Sequence, residues 1–166
     1  MKSSIIKIKT EQDIEKLRIS GRLAAQVLAM IGEYVKPGVT TEYLDDICND
    51  FIVNTLQVTP ANVGYYGYTK TTCISVNEVV CHGIPSEDEI LEEGDIINVA
   101  VSTILDGYYS DASRMFVIGQ TTPEKQRLVD VAKECLLIGM EAAKPFGFVG
   151  DIGNAIQRHA HKNGFT

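Results

Sequence analysis

The stretch Asp95-Ile96-Ile97-Asn98-Val99-Ala100-Val101-Ser102-Thr103-Ile104-Leu105-Asp106-Gly107-Tyr108-Tyr109-Ser110-Asp111-Ala112-Ser113-Arg114-Met115-Phe116-Val117-Ile118 decides how this chain folds. Two β-rich runs flank Asp106-Gly107, the strongest short signal for a two-residue hairpin turn. If those two residues form the turn, Leu105 pairs with Tyr108, Asp111 faces Ser102 and Ser113 faces Ala100. Side chains alternate along a strand, so Ile97, Val99 and Val101 share the core face. Asn98, Ala100 and Ser102 share the other face with Asp111. Asp111 is then a diagonal neighbour of position 100, about 7–8 Å away. Read from the hairpin alone, Asp111 is first a strand aspartate in solvent or a turn contact, and only second a site residue.

Upstream, Cys73-Ile74-Ser75-Val76-Asn77 alternates as a strand. Val79-Val80-Cys81 reads as a strand running into the turn His82-Gly83-Ile84-Pro85, which puts His82 at a strand-to-loop corner. A hydrogen-bonded surface histidine and a functional one fit that corner equally. Gly64-Tyr65-Tyr66-Gly67-Tyr68 reads as a loop with three aromatic side chains.

Helices flank this β-rich centre. Thr10 and Asp13 form a variant capping box for a first helix, with Ile14, Leu17, Gly21, Ala24, Ala25, Leu28 and Ile31 as its apolar stripe and Lys36-Pro37-Gly38 as its stop. Thr40 or Thr41 caps a second helix carrying Leu44, Ile47, Cys48, Phe51 and Ile52. Thr121-Thr122-Pro123-Glu124 opens a third, with Leu128, Val131, Cys135 and Ile138 inside and Lys144-Pro145 as its stop. A fourth runs from about Asp151, buries Ile152, Ala155 and Ile156, and ends at Asn163-Gly164. His159 and His161 lie two apart on it, point to different faces, and read as solvated. Lys36-Pro37 and Lys144-Pro145 each separate two helices, and this weak echo suggests a pseudo-symmetric design.

The chain has 166 residues, 45% hydrophobic and 22% charged, with a net charge of −7. This suits one globular domain, residues 1–166, with a real core. An acidic chain without a basic cluster argues against nucleic acid or an anionic membrane as partner. No apolar run is long enough to span a bilayer. Met1-Lys2-Ser3-Ser4-Ile5-Ile6-Lys7 lacks the apolar centre of a signal peptide, and four unpaired cysteines fit a reducing compartment, so a cytoplasmic location is expected.

From Ile8 to Thr166 the sequence resembles the type I methionine aminopeptidases, metallopeptidases of the pita-bread fold. Cys73 to Pro85 and Gly107 to Phe116 carry the resemblance most specifically, supported by Arg18-x-x-Gly21-Arg22 and Val35-Lys36-Pro37-Gly38. It implies an α/β (α+β) fold: the first half of a pita bread plus the opening helices of the second. It implies removal of the initiator methionine from nascent chains by two divalent ions (Co, Mn, Fe or Zn). Asp111 matches a metal-bridging Asp. His82 matches a catalytic His that contacts substrate and helps stabilise the intermediate. Tyr65 and Tyr68 match residues of the methionine pocket, and Asn62 stands where a pocket Cys is common.

Two departures accompany these matches. Ala100, in Asn98-Val99-Ala100-Val101, occupies the place of a metal-ligand Asp. The family's metal-binding His and two Glu fall beyond the point matching Thr166. The resemblance therefore implies a truncated chain that keeps one of five ligand residues, binds metal weakly or not at all, and is inactive alone. The partner expected is a peptide or nascent-protein amino terminus, with self-association through the uncovered sheet as a further possibility. The alternative is a non-catalytic module that binds peptide amino termini or a protein partner.

Overall fold

The computed structural model describes residues 7–166. The Met1–Ile6 part of the segment read for a leader lies outside them. The described chain forms two compact units, residues 7–119 and 120–166.

The first unit holds α1 (Glu11–Ile31), α2 (Thr41–Asp50), a π-helical turn at Phe51–Thr55, β1 (Thr59–Pro60), a 3-10 turn at Tyr65–Gly67, β2 (Thr72–Val76), β3 (Ile96–Leu105) and β4 (Tyr108–Val117). All strand pairs are antiparallel. β4 follows β3 along its whole length, while β2 and β1 pair with successive parts of the other edge. Asp106 and Gly107 have φ of 51° and 81°, the two left-handed residues of a type I′ turn. That turn fixes the register, and Asp111 faces Ser102 and Ser113 faces Ala100 as the sequence requires.

The core lies on one side of this sheet. Ile74, Ile97, Val99 and Val101 pack with Val27 and Ile31 of α1 and with Leu44, Cys48 and Ile52. Each buried aliphatic side chain contributes roughly 1.5–3 kcal/mol. Cys73, Ser75, Asn98, Ala100, Ser102, Asp111 and Ser113 occupy the opposite face by alternation.

α1 begins with the expected capping box. Asp13 N donates to Thr10 Oγ1 (3.2 Å), and Thr10 N donates to Asp13 Oδ2 (2.9 Å). The other Asp13 oxygen accepts from Tyr108 Oη at 2.7 Å, and Ser20 Oγ donates to Tyr108 O at 3.0 Å, so the hairpin tip is tied to α1. The inner stripe of α1 is rotated from the expected one. Ser20, Ala24, Val27, Leu28 and Ile31 are buried, whereas Ile14 is 42% exposed and Gly21 and Ala25 face solvent. Helix phase is set by the contacts at Leu28 and Ile31, and an apolar residue about four turns earlier need not follow it. α1 also stops at Ile31, capped by Gly32, before Lys36-Pro37 is reached. Thr40 is the N-cap of α2, and Thr41 is buried, where its hydroxyl donates to Ser86 O (3.2 Å).

The second unit is a helical hairpin of α3 (Pro123–Ala142) and α4 (Val149–Lys162). Thr122 caps α3 and Pro123 is its first residue. Leu128 is 42% exposed instead of inside, and Gly139 takes a buried place against Ile152 and Ile156. α4 starts two residues earlier than expected, because Phe148 N donates to Asp151 Oδ2 (2.9 Å). α2 and α4 start at 41 and 149, the 108-residue offset of the Lys-Pro echo (149 − 41 = 108). No helix among the described residues is long and apolar enough to cross a membrane.

Candidate functional site

The loop before β2 is closed by its own backbone. Tyr65 N donates to Asn62 O (3.0 Å), Gly64 N to Tyr68 O (2.8 Å) and Tyr68 N to Tyr65 O (2.9 Å). Gly64 and Gly67 both have φ of 84°, a conformation glycine adopts without a Cβ penalty. Tyr66 lies between them at φ 47°, where a side chain costs roughly 1–2 kcal/mol. The Asn62 amide donates to Thr71 O (2.9 Å), and the Tyr68 hydroxyl donates to Thr72 O (2.8 Å) with Gly83 O 3.3 Å away. Burial first, and then the adjoining Cys73 side chain, hold the Tyr68 phenol above its ordinary pKa.

His82 is not at a strand end. β2 stops at Val76, and residues 77–95 form no strand. The β-branched residues there find no ladder, and Val80 is 95% exposed. What holds His82 is its neighbour. Ile74 N donates to Gly83 O (2.9 Å) and Gly83 N donates to Ser75 Oγ (3.1 Å). A Cβ on Gly83 would lie 2.0 Å from Ile74 O, so only glycine permits this approach. His82 itself has φ of 56°. The outcome is a cleft of about 460 Å³ lined by Tyr65, Tyr68, Cys73 and His82, with Asn62 and the Tyr66-Gly67 turn completing its wall. Four residues singled out from sequence (Asn62, Tyr65, Tyr68 and His82) thus meet around one space.

Cys73, on the cleft wall, pairs in register with Ala100 on the open sheet face. Asp111 stands on the same face and accepts from the Ser102 hydroxyl at 3.2 Å. The carboxylate is exposed. Oxygen-seeking divalent ions take six or more ligands, several from carboxylates and carbonyls. Ala100 offers only a methyl group here, and Ser102 and Ser113 offer neutral hydroxyls. Among the described residues no group of three or more His, Cys, Asp or Glu is placed to hold a metal ion. These residues by themselves do not fit a two-ion centre.

Two features escaped the sequence reading. Asp45 is 4% exposed on the inner side of α2 and accepts from Thr72 N (2.7 Å), Thr72 Oγ1 (2.6 Å) and Thr71 N (3.3 Å). Burial pushes its pKa up against the lowering effect of those bonds. It fixes the two residues whose carbonyls hold Asn62 and Tyr68. Its signal was an acid at the 45–48–52 spacing of an apolar stripe. The second feature is His159, read as solvated: its Nε2 lies 2.7 Å from Glu134 Oε2 and 3.2 Å from the Asn163 amide.

Comparison with known proteins follows the same lines. Residues 15–166 match the sequence model of metallopeptidase family M24. Methionine aminopeptidase from Escherichia coli K12 is 50% identical over 161 residues, 97% of this chain and 61% of that protein. The Haemophilus influenzae enzyme is 47% identical over 162 residues, 97% of this chain and 60% of that protein. The chain thus spans about three-fifths of the length of these relatives. The crystal structure of the Rickettsia prowazekii methionine aminopeptidase superposes with a TM-score of 0.92 at 46% identity, covering 95% of this chain and 63% of that one. The Pyrococcus furiosus prolidase superposes at 0.79 with 20% identity, covering 95% and 44%, and shares the fold. The fold is the pita bread that the resemblance implied.

Proposed function

The chain belongs to metallopeptidase family M24, and on that premise we propose that it is a methionine-aminopeptidase-type chain whose own 166 residues bind a peptide amino terminus without hydrolysing it. The observation that carries this reading is one juxtaposition. The cleft of Tyr65, Tyr68, Cys73 and His82 is formed, while Ala100 puts a methyl group on the sheet face beside it. In the family, two divalent ions polarise the scissile carbonyl and supply hydroxide. In this chain Tyr65 and Tyr68 wall the space for an apolar first side chain, and His82 reaches the peptide bond that follows it. Asp111 is the ligand carboxylate the chain keeps. One carboxylate leaves two dications largely uncompensated, so tight dinuclear binding is not expected of these residues alone. The substrate class is a nascent-protein amino terminus, the compartment that goes with it is the cytoplasm, and the four free thiols support that reading.

The test uses Met-Ala-Ser and the purified 166-residue protein with added manganese or cobalt. Calorimetry is expected to show saturable peptide binding, and chromatography no released methionine. Metal-dependent release of methionine overturns the inactive reading. Absence of saturable binding overturns the peptide-binding one.

A further inference from the structure

The Tyr66 ring is set apart from the pocket residues beside it. It lines the cleft mouth, yet 94% of the residue is exposed. Among the described residues its one ring partner is Tyr65, met edge-on with centroids 4.7 Å apart and planes at 87°. The backbone beneath it is left-handed (φ 47°, ψ 31°). The two other left-handed positions of this loop, 64 and 67, are glycines. A glycine or asparagine at 66 would relieve the strain, and a polar side chain would relieve the apolar exposure. The sequence keeps a tyrosine despite both. Strain held at the rim of a cleft, on a loop locked by its own hydrogen bonds, is the kind that goes with binding.

We propose that Tyr66 is the contact for the second residue of the bound peptide, its ring packing against that residue's side chain and main chain. This rests on the cleft being the seat of the first residue. Geometry supports the division of labour. Tyr65, Tyr68, Cys73 and His82 line the cleft together with Tyr66, but the Tyr66 residue is the more open to solvent of the two edge-on tyrosines (94% exposed against 69% for Tyr65), on the side where the chain beyond the first residue must leave. An aromatic ring offers a small apolar residue such as alanine a broad face and loses little side-chain freedom on binding.

The experiment compares two probes, Met-Ala-Ser and methioninamide, by calorimetry on the wild type, Tyr66→Asn and Tyr66→Phe. Asparagine tolerates the left-handed backbone, so the loop is kept while the ring is lost. Tyr66→Asn is expected to weaken Met-Ala-Ser about three- to tenfold, the scale of one aromatic contact. Methioninamide, which has no second residue, should bind within twofold of wild type. Tyr66→Phe should keep both affinities. Equal weakening of both probes, or no weakening of either, overturns the proposal and leaves the peptide cleft standing. If wild type binds neither probe, the cleft reading and this one fall together. Should Tyr66→Asn fail to fold by circular dichroism, Tyr66→Gly, which relaxes the same backbone, takes its place with the same expected outcomes.

Discussion

The residue that most constrains the cleft carries no side chain. Gly83 lies so close to Ile74 that Gly83→Ala must push the 82–83 segment off β2 and break both hydrogen bonds that join them. Two lost bonds and backbone displacement are expected to cost ~2 kcal/mol or more, read as a lower urea midpoint, with peptide binding lost alongside. A variant as stable as wild type would show that the approach is not tight. The cysteines provide a second residue-scale prediction. Cys48 is buried in the core, and burial first, then the nearby Asp45 charge, pushes its thiol up to about 12. Cys81 is exposed. At pH 8 a maleimide should modify Cys81 within minutes and Cys48 only on unfolding, because the thiolate is the nucleophile. Raising the pH to 9 should not change that order, since Cys48 stays protonated until the pH approaches 12. Mass spectrometry of the labelled peptides checks it. Rapid labelling of Cys48 in the folded protein would count against a closed core.

At the scale of elements, the hairpin was readable and the His82 segment was not. An Asp-Gly turn admits one register, and once that turn is fixed every pair from Leu105–Tyr108 to Ala100–Ser113 follows. Val79-Val80-Cys81 has strand-like residues but no partner to pair with, and a single sequence does not reveal missing partners. Asp45 was hidden for the same reason, since its partners lie 26 and 27 residues away. The α1–hairpin tie yields an acid-limb prediction. The Tyr108 hydroxyl first, then the Thr10 backbone, hold the Asp13 carboxyl well below its ordinary 3.8. The unfolded chain therefore binds a proton at Asp13 before the folded chain does. Stability from this group is present above pH 4 and drains away as the pH falls through the folded value. Asp13→Asn should flatten the loss of stability below pH 4 while leaving the neutral-side shape unchanged. An unaltered acid limb would show the tie to be energetically silent. In the second unit, a Cβ at Gly139 would meet Ile156 Cδ1 at 2.8 Å and Cγ1 at 3.2 Å. Gly139→Ala gains helix propensity of up to ~1 kcal/mol, but overpacking costs typically ~1–3 kcal/mol, so a net loss of stability is expected in thermal melts.

At the scale of the whole molecule, the question is whether one substitution separates this chain from hydrolysis. The site is only partly legible because a metal centre is a property of several elements at once. Asp111 and position 100 share a sheet face, and their closeness follows from hairpin arithmetic. The further ligands that the resemblance implies align with nothing in these 166 residues. Ala100→Asp would place a second carboxylate diagonal to Asp111, about 7–8 Å from it by backbone geometry, too far to share a proton and near enough for both to reach one ion. Two carboxylates against one dication balance in charge but still leave most coordination positions to water. Calorimetry with manganese should then show a single weak site in Ala100→Asp where wild type shows no saturable one. Methionine release from Met-Ala-Ser should stay at background in both, because no second ion is held and no paired centre forms. Measurable turnover in Ala100→Asp would mean that the remaining ligands reach the site from a second, different chain. Sedimentation would then have to show an assembly under the assay conditions. A monomer that turns over substrate would overturn the assignment of position 100 as one lesion among several.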